Sequence, residues 1–240
     1  MTEHLYRDIG VVLRTYKLGE ADRIIVLLGQ EHGKVRAVAK GVRKTKSRFG
    51  ARLEPLSHVR VLMHKGRNLD VVSQAELVDG DHSGLGDLDR TTQGLALVEA
   101  VEMLAPDREP VPQLYQMLVG ALRTLGRTPS PMIVPAFYLK VLAAEGVRPE
   151  LDLCVSCGED GQLVAFDVDQ GGMMCRSCRS GTPVSPAALE ILRAMLGGRL
   201  NDVLAMEKSA VGAEVAHLAT HAFEHHIERR LRAVAMFERL

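Results

Sequence analysis

Gly19-Glu-Ala-Asp-Arg-Ile-Ile-Val-Leu-Leu28, followed by Gly33-Lys-Val-Arg-Ala-Val-Ala-Lys40, is the stretch on which the fold turns. Both halves are short, rich in β-branched residues and bounded by glycine, a pattern that suits strands and not helices. In the second half, alternation places Val35, Ala37 and Ala39 on one face. Lys34, Arg36 and Lys40 lie on the other, with Val38 among them. Working outward, Ile9–Leu13, Val59–Met63 and Leu69–Ser73 read the same way, punctuated by Gly29, Gly41 and Gly66. Five such strands within the first eighty or so residues suggest a sandwich or a small closed barrel, the oligonucleotide-binding (OB) barrel foremost.

Between the third and fourth strands runs a long basic loop, Gly41-Val-Arg-Lys-Thr-Lys-Ser-Arg-Phe-Gly50. A loop so charged is expected to stay out of the core. The whole chain is neutral, with 30 basic and 30 acidic residues, but the charges are segregated. From Lys34 to Arg67 there are eleven Lys or Arg and a single acid, Glu54. From Glu76 to Glu109 there are nine acids and two bases, Arg90 and Arg108. Such clustering costs self-repulsion, which a polyanion or the acidic neighbour would relieve. Phosphate backbones reward a cluster of this kind by releasing counterions, and this reading is preferred to a merely solvated loop. Of the aromatics in this half, Tyr6, Tyr16 and Phe49, only Phe49 lies in the basic loop. Binding is therefore expected to run mainly through phosphates, with strong salt sensitivity and little sequence preference.

After a Gly80–Gly86 linker the periodicity becomes helical. One amphipathic stretch runs through Leu95, Leu97, Val98, Val101 and Leu104, and a second from Leu114 to Leu125. Ser130-Pro131 and Ser185-Pro186 are each an N-cap followed by proline at the first helical position. They predict helices to about Gly146 and about Leu196, and a last long helix is expected over roughly Gly212–Glu238.

Between those helices stand all four cysteines, Cys154-Val-Ser-Cys157 and Cys175-Arg-Ser-Cys178, with seventeen residues separating the pairs. Two C-x2-C turns at this spacing predict a four-thiolate structural zinc site on a hairpin, ahead of a redox pair or four ordinary buried thiols. A closed site of this kind holds a scaffold together and leaves no position for substrate.

Other chemistry is thin. His217, His221 and His225 recur every four residues, with His226 adjacent, but no glutamate completes an H-E-x-x-H motif. A surface or interface stripe is expected there, followed by a second basic patch at Arg229, Arg230 and Arg232. No phosphate loop, dinucleotide fingerprint or nucleophile elbow occurs. No catalytic residues are assigned and the protein is not expected to be an enzyme. The N-terminus lacks the apolar stretch of a signal peptide, no run reaches a membrane span, and zinc-spaced cysteines fit a reducing compartment; a cytoplasmic, nucleoid-associated protein is expected.

The run from Tyr16 to Lys46, with its acidic turn, strand, Gly33-Lys34 turn, Ala39-Lys-Gly41 and basic loop, resembles the RecO family of bacterial recombination mediators. The cysteine hairpin and the closing Arg229-Arg230-Leu231-Arg232 agree with it, so that the resemblance covers nearly the whole chain. It implies an α+β protein with an N-terminal five-stranded OB-type barrel and a C-terminal helical domain carrying an inserted four-cysteine zinc hairpin. The expected boundaries are 1–80 for the OB-like domain, 81–149 and 184–240 for the two parts of the helical domain, and 150–183 for the zinc module. It further implies a protein of DNA repair and recombination that binds single- and double-stranded DNA and anneals complementary strands without nucleotide hydrolysis. The implied partners are RecR, the C-terminal tail of the single-strand-binding protein SSB, and RecA of the RecF pathway, which it helps to load onto SSB-coated DNA. By the same resemblance Lys34, Arg36, Lys40, Arg43, Lys44, Lys46, Arg48 and Arg52 hold phosphates, and one structural Zn2+ sits on the four cysteines. The residues by themselves also allow a zinc-containing OB-fold RNA-binding or transcription accessory factor.

Overall fold

The computed structural model describes residues 5–44, 47, 49–78 and 87–233. The predicted linker at 80–86 and the basic-loop residues Thr45, Lys46 and Arg48 lie outside the described residues. Five strands, β1 Leu5–Leu18, β2 Asp22–Gly29, β3 Gly33–Ala39, β4 His58–His64 and β5 Asp70–Leu77, form a closed barrel in the order β1-β2-β3-β5-β4. Every neighbouring pair is antiparallel except β3 with β5. This is the topology of an OB barrel, as the sequence implies.

Alternation decides which side chains fill it. Val35, Ala37 and Ala39 from β3 meet Ile25, Leu27, Val12, Val61, Met63 and Val72 inside, all essentially inaccessible to solvent. Register shifts at Val12/Arg14 and Leu62/Met63 give the local bends by which so small a barrel closes. β1 is longer than its apolar centre suggests, because its polar ends pair with β4 on one side and β2 on the other.

Two glycines at the β2–β3 turn are dictated by close approach. A Cβ on Gly29 would lie 2.1 Å from Asp8 Oδ2, whose buried carboxylate accepts the backbone N–H groups of Ile9, Glu31 and His32 at 2.7, 3.2 and 3.1 Å. Gly33, at φ +65°, would bring a Cβ within 1.9 Å of the Glu109 carbonyl oxygen.

The charged loop departs from expectation in one respect. Its side chains Arg43 and Lys44 stay exposed, but a 3-10 turn over Gly50–Leu53 carries Phe49 and Leu53 into the barrel, each 1% exposed. A ring of that size gains too much from burial to remain in water beside a hydrophobic core.

The chain divides into two compact units, the first running through Arg127 and the second from Thr128. Helices α1 (Leu88–Leu104) and α2 (Pro112–Arg127) belong to the same unit as the barrel. Asp87 caps α1 by accepting the Arg90 N–H at 2.8 Å, and α1 packs along β1. Tyr115 on α2 meets His58 of β4 at 2.9 Å.

The second unit contains α3 (Ile133–Ala144), a small sheet of β6 (Leu163–Asp167), β7 (Gly172–Cys175) and β8 (Thr182–Pro183), then α4 (Pro186–Leu196), α5 (Leu200–Leu204) and α6 (Ala210–His226). Its core is anchored by Tyr138 of α3 stacked on Phe223 of α6, with centroids 4.6 Å apart. Ser185 caps α4 as predicted, accepting the Ala188 N–H. The Ser130-Pro131 signal is displaced: Ser130 Oγ accepts from Met132 N within a turn, and the helix itself starts at Ile133. The long last helix is also cut short. It ends at His226; Glu228 adopts φ +52° and the Glu224 carboxylate accepts the Leu231 N–H at 2.7 Å, reversing the chain. Among the described residues no helix is long and apolar enough to cross a membrane.

Candidate metal centre and nucleic-acid interface

The small sheet of the second unit, in the order β7-β6-β8, exists to return one cysteine turn to the other. Cys175 closes β7 and Cys178 follows in the next turn, while Cys154 and Cys157 sit in the turn that precedes β6. All four Sγ atoms lie within 4.8 Å of one another, and Cys157 Sγ is 3.8 Å from Cys175 Sγ. Sulfurs placed tetrahedrally roughly 2.3 Å from one ion are separated by about 3.8 Å, whereas a disulfide would need about 2.0 Å. The cluster therefore fits a metal ion and not a bridge.

The backbone prepares it for that role. The Cys154 thiol is lowered to about 6, chiefly by the Cys175 backbone N–H and further by those of Cys157 and Ser156, which outweigh burial. At Cys157 the Glu159 N–H favours the thiolate, but the Cys154, Cys178 and Cys175 thiols together with burial outweigh it and push the thiol up to about 12. One thiolate is welcome and the next is resisted, so a cation at the centre is what allows all four to ionise. Supporting contacts fix the two turns. Arg193 of α4 donates to the Leu151 carbonyl at 2.9 and 3.2 Å and pairs with Asp152 at 2.9 Å, holding the segment that leads into Cys154. The Asp167 carboxylate caps the β6–β7 turn through the N–H groups of Asp169 and Gln170 and also takes the Ser180 hydroxyl. Arg193 was not legible as part of this site, since it reaches Leu151 across 42 residues with no local pattern. Asp167 caps its own turn locally, but its bond to the Ser180 hydroxyl carries no local signal either.

In the first unit the predicted phosphate-binding residues divide into groups. Arg36 and Lys40 are exposed on and just beyond β3. Arg43 and Lys44 follow, exposed at the start of the basic loop. That start is tied to the β1–β2 turn: Gly41 N donates to Asp22 Oδ1 at 2.7 Å, Arg43 N to Ala21 O at 3.0 Å, and the Arg43 guanidinium to Gly19 O at 3.1 Å. These bonds hold Arg43 and Lys44 at one end of the barrel next to Lys40, while Arg36 stands midway along β3, in register with Val26. Arg52 is exposed on the 3-10 turn after the loop. Lys46 and Arg48 lie outside the described residues.

Lys34 is differently placed. Its Nζ donates to the Glu102 carbonyl at 3.0 Å and pairs with Asp107 at 3.4 Å, and its side chain is 12% exposed. Arg14, on β1, is bound likewise to Glu102 at 2.8 Å and Glu99 at 3.9 Å. The acidic segment thus neutralises one flank of the basic strands and leaves the other flank to solvent. Of the aromatics, Phe49 is in the core and Tyr6 lies against the His32 ring, with centroids 4.4 Å apart, while its hydroxyl goes to the buried Asp70 carboxylate.

Comparison with protein-family models then decides the family. Residues 1–80 match the recombination protein O N-terminal model and residues 85–235 the recombination protein O C-terminal model. The chain belongs to the recombination protein O family. The two matches divide at the passage from barrel strands to helices, and RecO membership places the protein in DNA repair and recombination. The four-cysteine cluster falls within the RecO C-terminal match, the cationic end of the barrel within the N-terminal one.

The histidine stripe lies exposed along α6, with the rings of His217 and His221 6.2 Å apart and nearly parallel. His225 Nδ1 stands 3.7 Å from Asp169 Oδ1. Arg229, Arg230 and Arg232 are exposed just beyond the helix end.

Proposed function

We propose that this protein is a non-enzymatic recombination mediator that holds DNA by its backbone at the cationic end of the barrel, anneals complementary strands, and acts with RecR to load RecA onto SSB-coated DNA. The observation that carries the reading is the run of exposed cations from Arg36, midway along β3 of a closed OB barrel, through Lys40 to Arg43 and Lys44 at its end, where Arg36, Lys40 and Lys44 form no ion pair with another described residue. Membership of the RecO family supplies the recombination setting.

Arg36, Lys40, Arg43, Lys44, Lys46, Arg48 and Arg52 are the phosphate contacts in this reading. Lys34 enters only if a strand displaces Glu102 and Asp107 from it. Annealing follows from charge: two polyanions repel, and a cationic patch that shields both lowers the barrier to their encounter. No nucleotide hydrolysis is needed for that step. Binding is tolerant of single and double strands, because phosphates carry no sequence. Four soft thiolates in a tetrahedral cluster suit zinc, and one Zn2+ on Cys154, Cys157, Cys175 and Cys178 serves the fold of the hairpin. Those cysteines stay reduced in a cytoplasm, where the nucleoid is the substrate.

Annealing of two SSB-coated complementary oligonucleotides without ATP tests the reading, comparing the unaltered protein with an Arg43→Glu/Lys44→Glu/Lys46→Glu variant. Acceleration that the variant abolishes is expected. No acceleration by the unaltered protein would leave a nucleic-acid binder outside the mediator class.

A further inference from the structure

We propose that Tyr16, with Ile24 and Val38 beside it, forms a base-stacking strip on the outer wall of the barrel, which takes an unpaired nucleobase of the strand whose phosphates the cationic end holds. The inference rests on the nucleic-acid reading above and adds a second ligand chemistry to it.

Register places the three side chains in one row. Tyr16 pairs with Ile24, and Ile24 with Val38, so they share a face. The rows on either side of it in β2 and β3, Ile25–Ala37 and Arg23–Ala39, are the inward ones, with Ile25, Ala37 and Ala39 in the core. The Tyr16 row therefore points outward. Strands lie about 4.8 Å apart, so three neighbours give a patch roughly 10 Å wide, close to the face of one base.

Outward rows nearer the middle of the barrel are covered. Val26 and Leu28 face outward by register, yet they are 1% and 0% exposed. There Arg14 and Lys34 are held by Glu99, Glu102 and Asp107. At the Tyr16 row the cover ends: Tyr16 is 44% exposed, Ile24 and Val38 are half-buried, and Leu18 in the next outward row is 38% exposed. The Tyr16 hydroxyl reaches Glu102 Oε1 at 3.4 Å, which restrains the tip of the ring.

Charge selects the occupant. Arg36 stands one outward row to one side of the strip, and Lys40 follows β3 on the other. Arg43 and Lys44 come next, tied down through Gly19 and Ala21 at the end of the same two strands. An apolar ring bordered on both sides by cations fits a base with its phosphates, since every base has a π-face and stacking is tolerant of sequence. A duplex presents no such face, because its bases are already stacked.

The chain has no tryptophan, so a Tyr16→Trp variant carries a single indole at the strip. Three probes are needed: an oligothymidine, a duplex of matched length, and an abasic phosphodeoxyribose oligomer. Tyr16→Ala should weaken oligothymidine binding about tenfold, within the range one stacked base supplies. Its affinity for the duplex and abasic oligomer, and its salt slope, should stay unchanged, and Tyr16→Phe should bind as the unaltered protein does. The Tyr16→Trp fluorescence should be quenched by oligothymidine but not by the abasic oligomer. Equal losses on all three probes, or undiminished oligothymidine affinity in Tyr16→Ala, would overturn the strip while leaving the phosphate reading in place. Failure of the unaltered protein to bind any of the three would overturn both.

Discussion

Arg108 grips Asp70 with two hydrogen bonds, 2.9 and 3.3 Å long, from a backbone position at φ +61° that a side chain adopts only under constraint. Asp70 opens β5 and is fully buried; it also takes the Tyr6 hydroxyl and the Gly66 N–H. The segment after α1 is thereby clamped to the barrel wall. Burial alone would raise the Asp70 carboxyl, but the hydrogen bonds from Arg108, Tyr6 and Gly66 prevail and hold it below its ordinary 3.8.

A carboxylate depressed in the folded state contributes stability that is complete above its ordinary value and is lost as pH falls through the folded one. Asp70→Asn should destabilise the first unit by about 1–3 kcal/mol near neutrality. Its deficit relative to the unaltered protein should shrink once pH drops below 3.8. Urea titrations at several pH values read this directly, and a deficit that does not change with pH would mean that another group titrates.

Phe49 separates stability from binding. Phe49→Ala should cost about 3–5 kcal/mol through the cavity it opens in the barrel. Phe49→Leu, which refills most of that volume, should bind DNA as the unaltered protein does. A folded Phe49→Leu that has lost single-strand affinity would show the ring to leave the core on binding.

Lys34 and Arg36, two residues apart on β3, should behave differently. If Arg36 holds a phosphate as proposed, Arg36→Ala should lower affinity for all sequences and reduce the log–log salt slope by about 0.7 on single strands. Lys34→Ala should leave the slope intact and instead lower the melting temperature, since its ammonium is spent on Glu102 and Asp107. A salt titration paired with thermal melts distinguishes the two.

Cys154→Ser should abolish stoichiometric metal binding, measured by elemental analysis, and loosen the hairpin in hydrogen exchange. The barrel belongs to the other compact unit, so DNA affinity should be unchanged at first. Loss of affinity in a folded Cys154→Ser protein would tie the metal to the interface.

What the sequence made legible was periodic or paired. Val35, Ala37 and Ala39 alternate, the cysteines come in spaced pairs, and Ser185-Pro186 announces α4; each signal is local, and each is realised in the structure. What it hid was direction and distance. Nothing near Phe49 says that the ring turns inward, and nothing near Lys34 names Glu102, 68 residues on, as its acceptor. The end of α6 depends on the Glu224 side chain reaching forward to Leu231, a bond that competes with an otherwise continuous helical pattern. The Ser130-Pro131 signal misplaced its helix start because Ser130 spends its hydroxyl on a tight turn first.

The inward turn of Phe49 has a bearing on how a held strand presents itself. In the DNA-binding reading proposed above, a basic loop whose aromatic is locked in the core would hold the sugar-phosphate side of a strand and leave the hydrogen-bonding edges of its bases facing away. Such a strand would remain readable while bound. Under that proposal a complementary partner would begin to pair with it at once, and release of the carrier would be a result of duplex formation, not a condition for it.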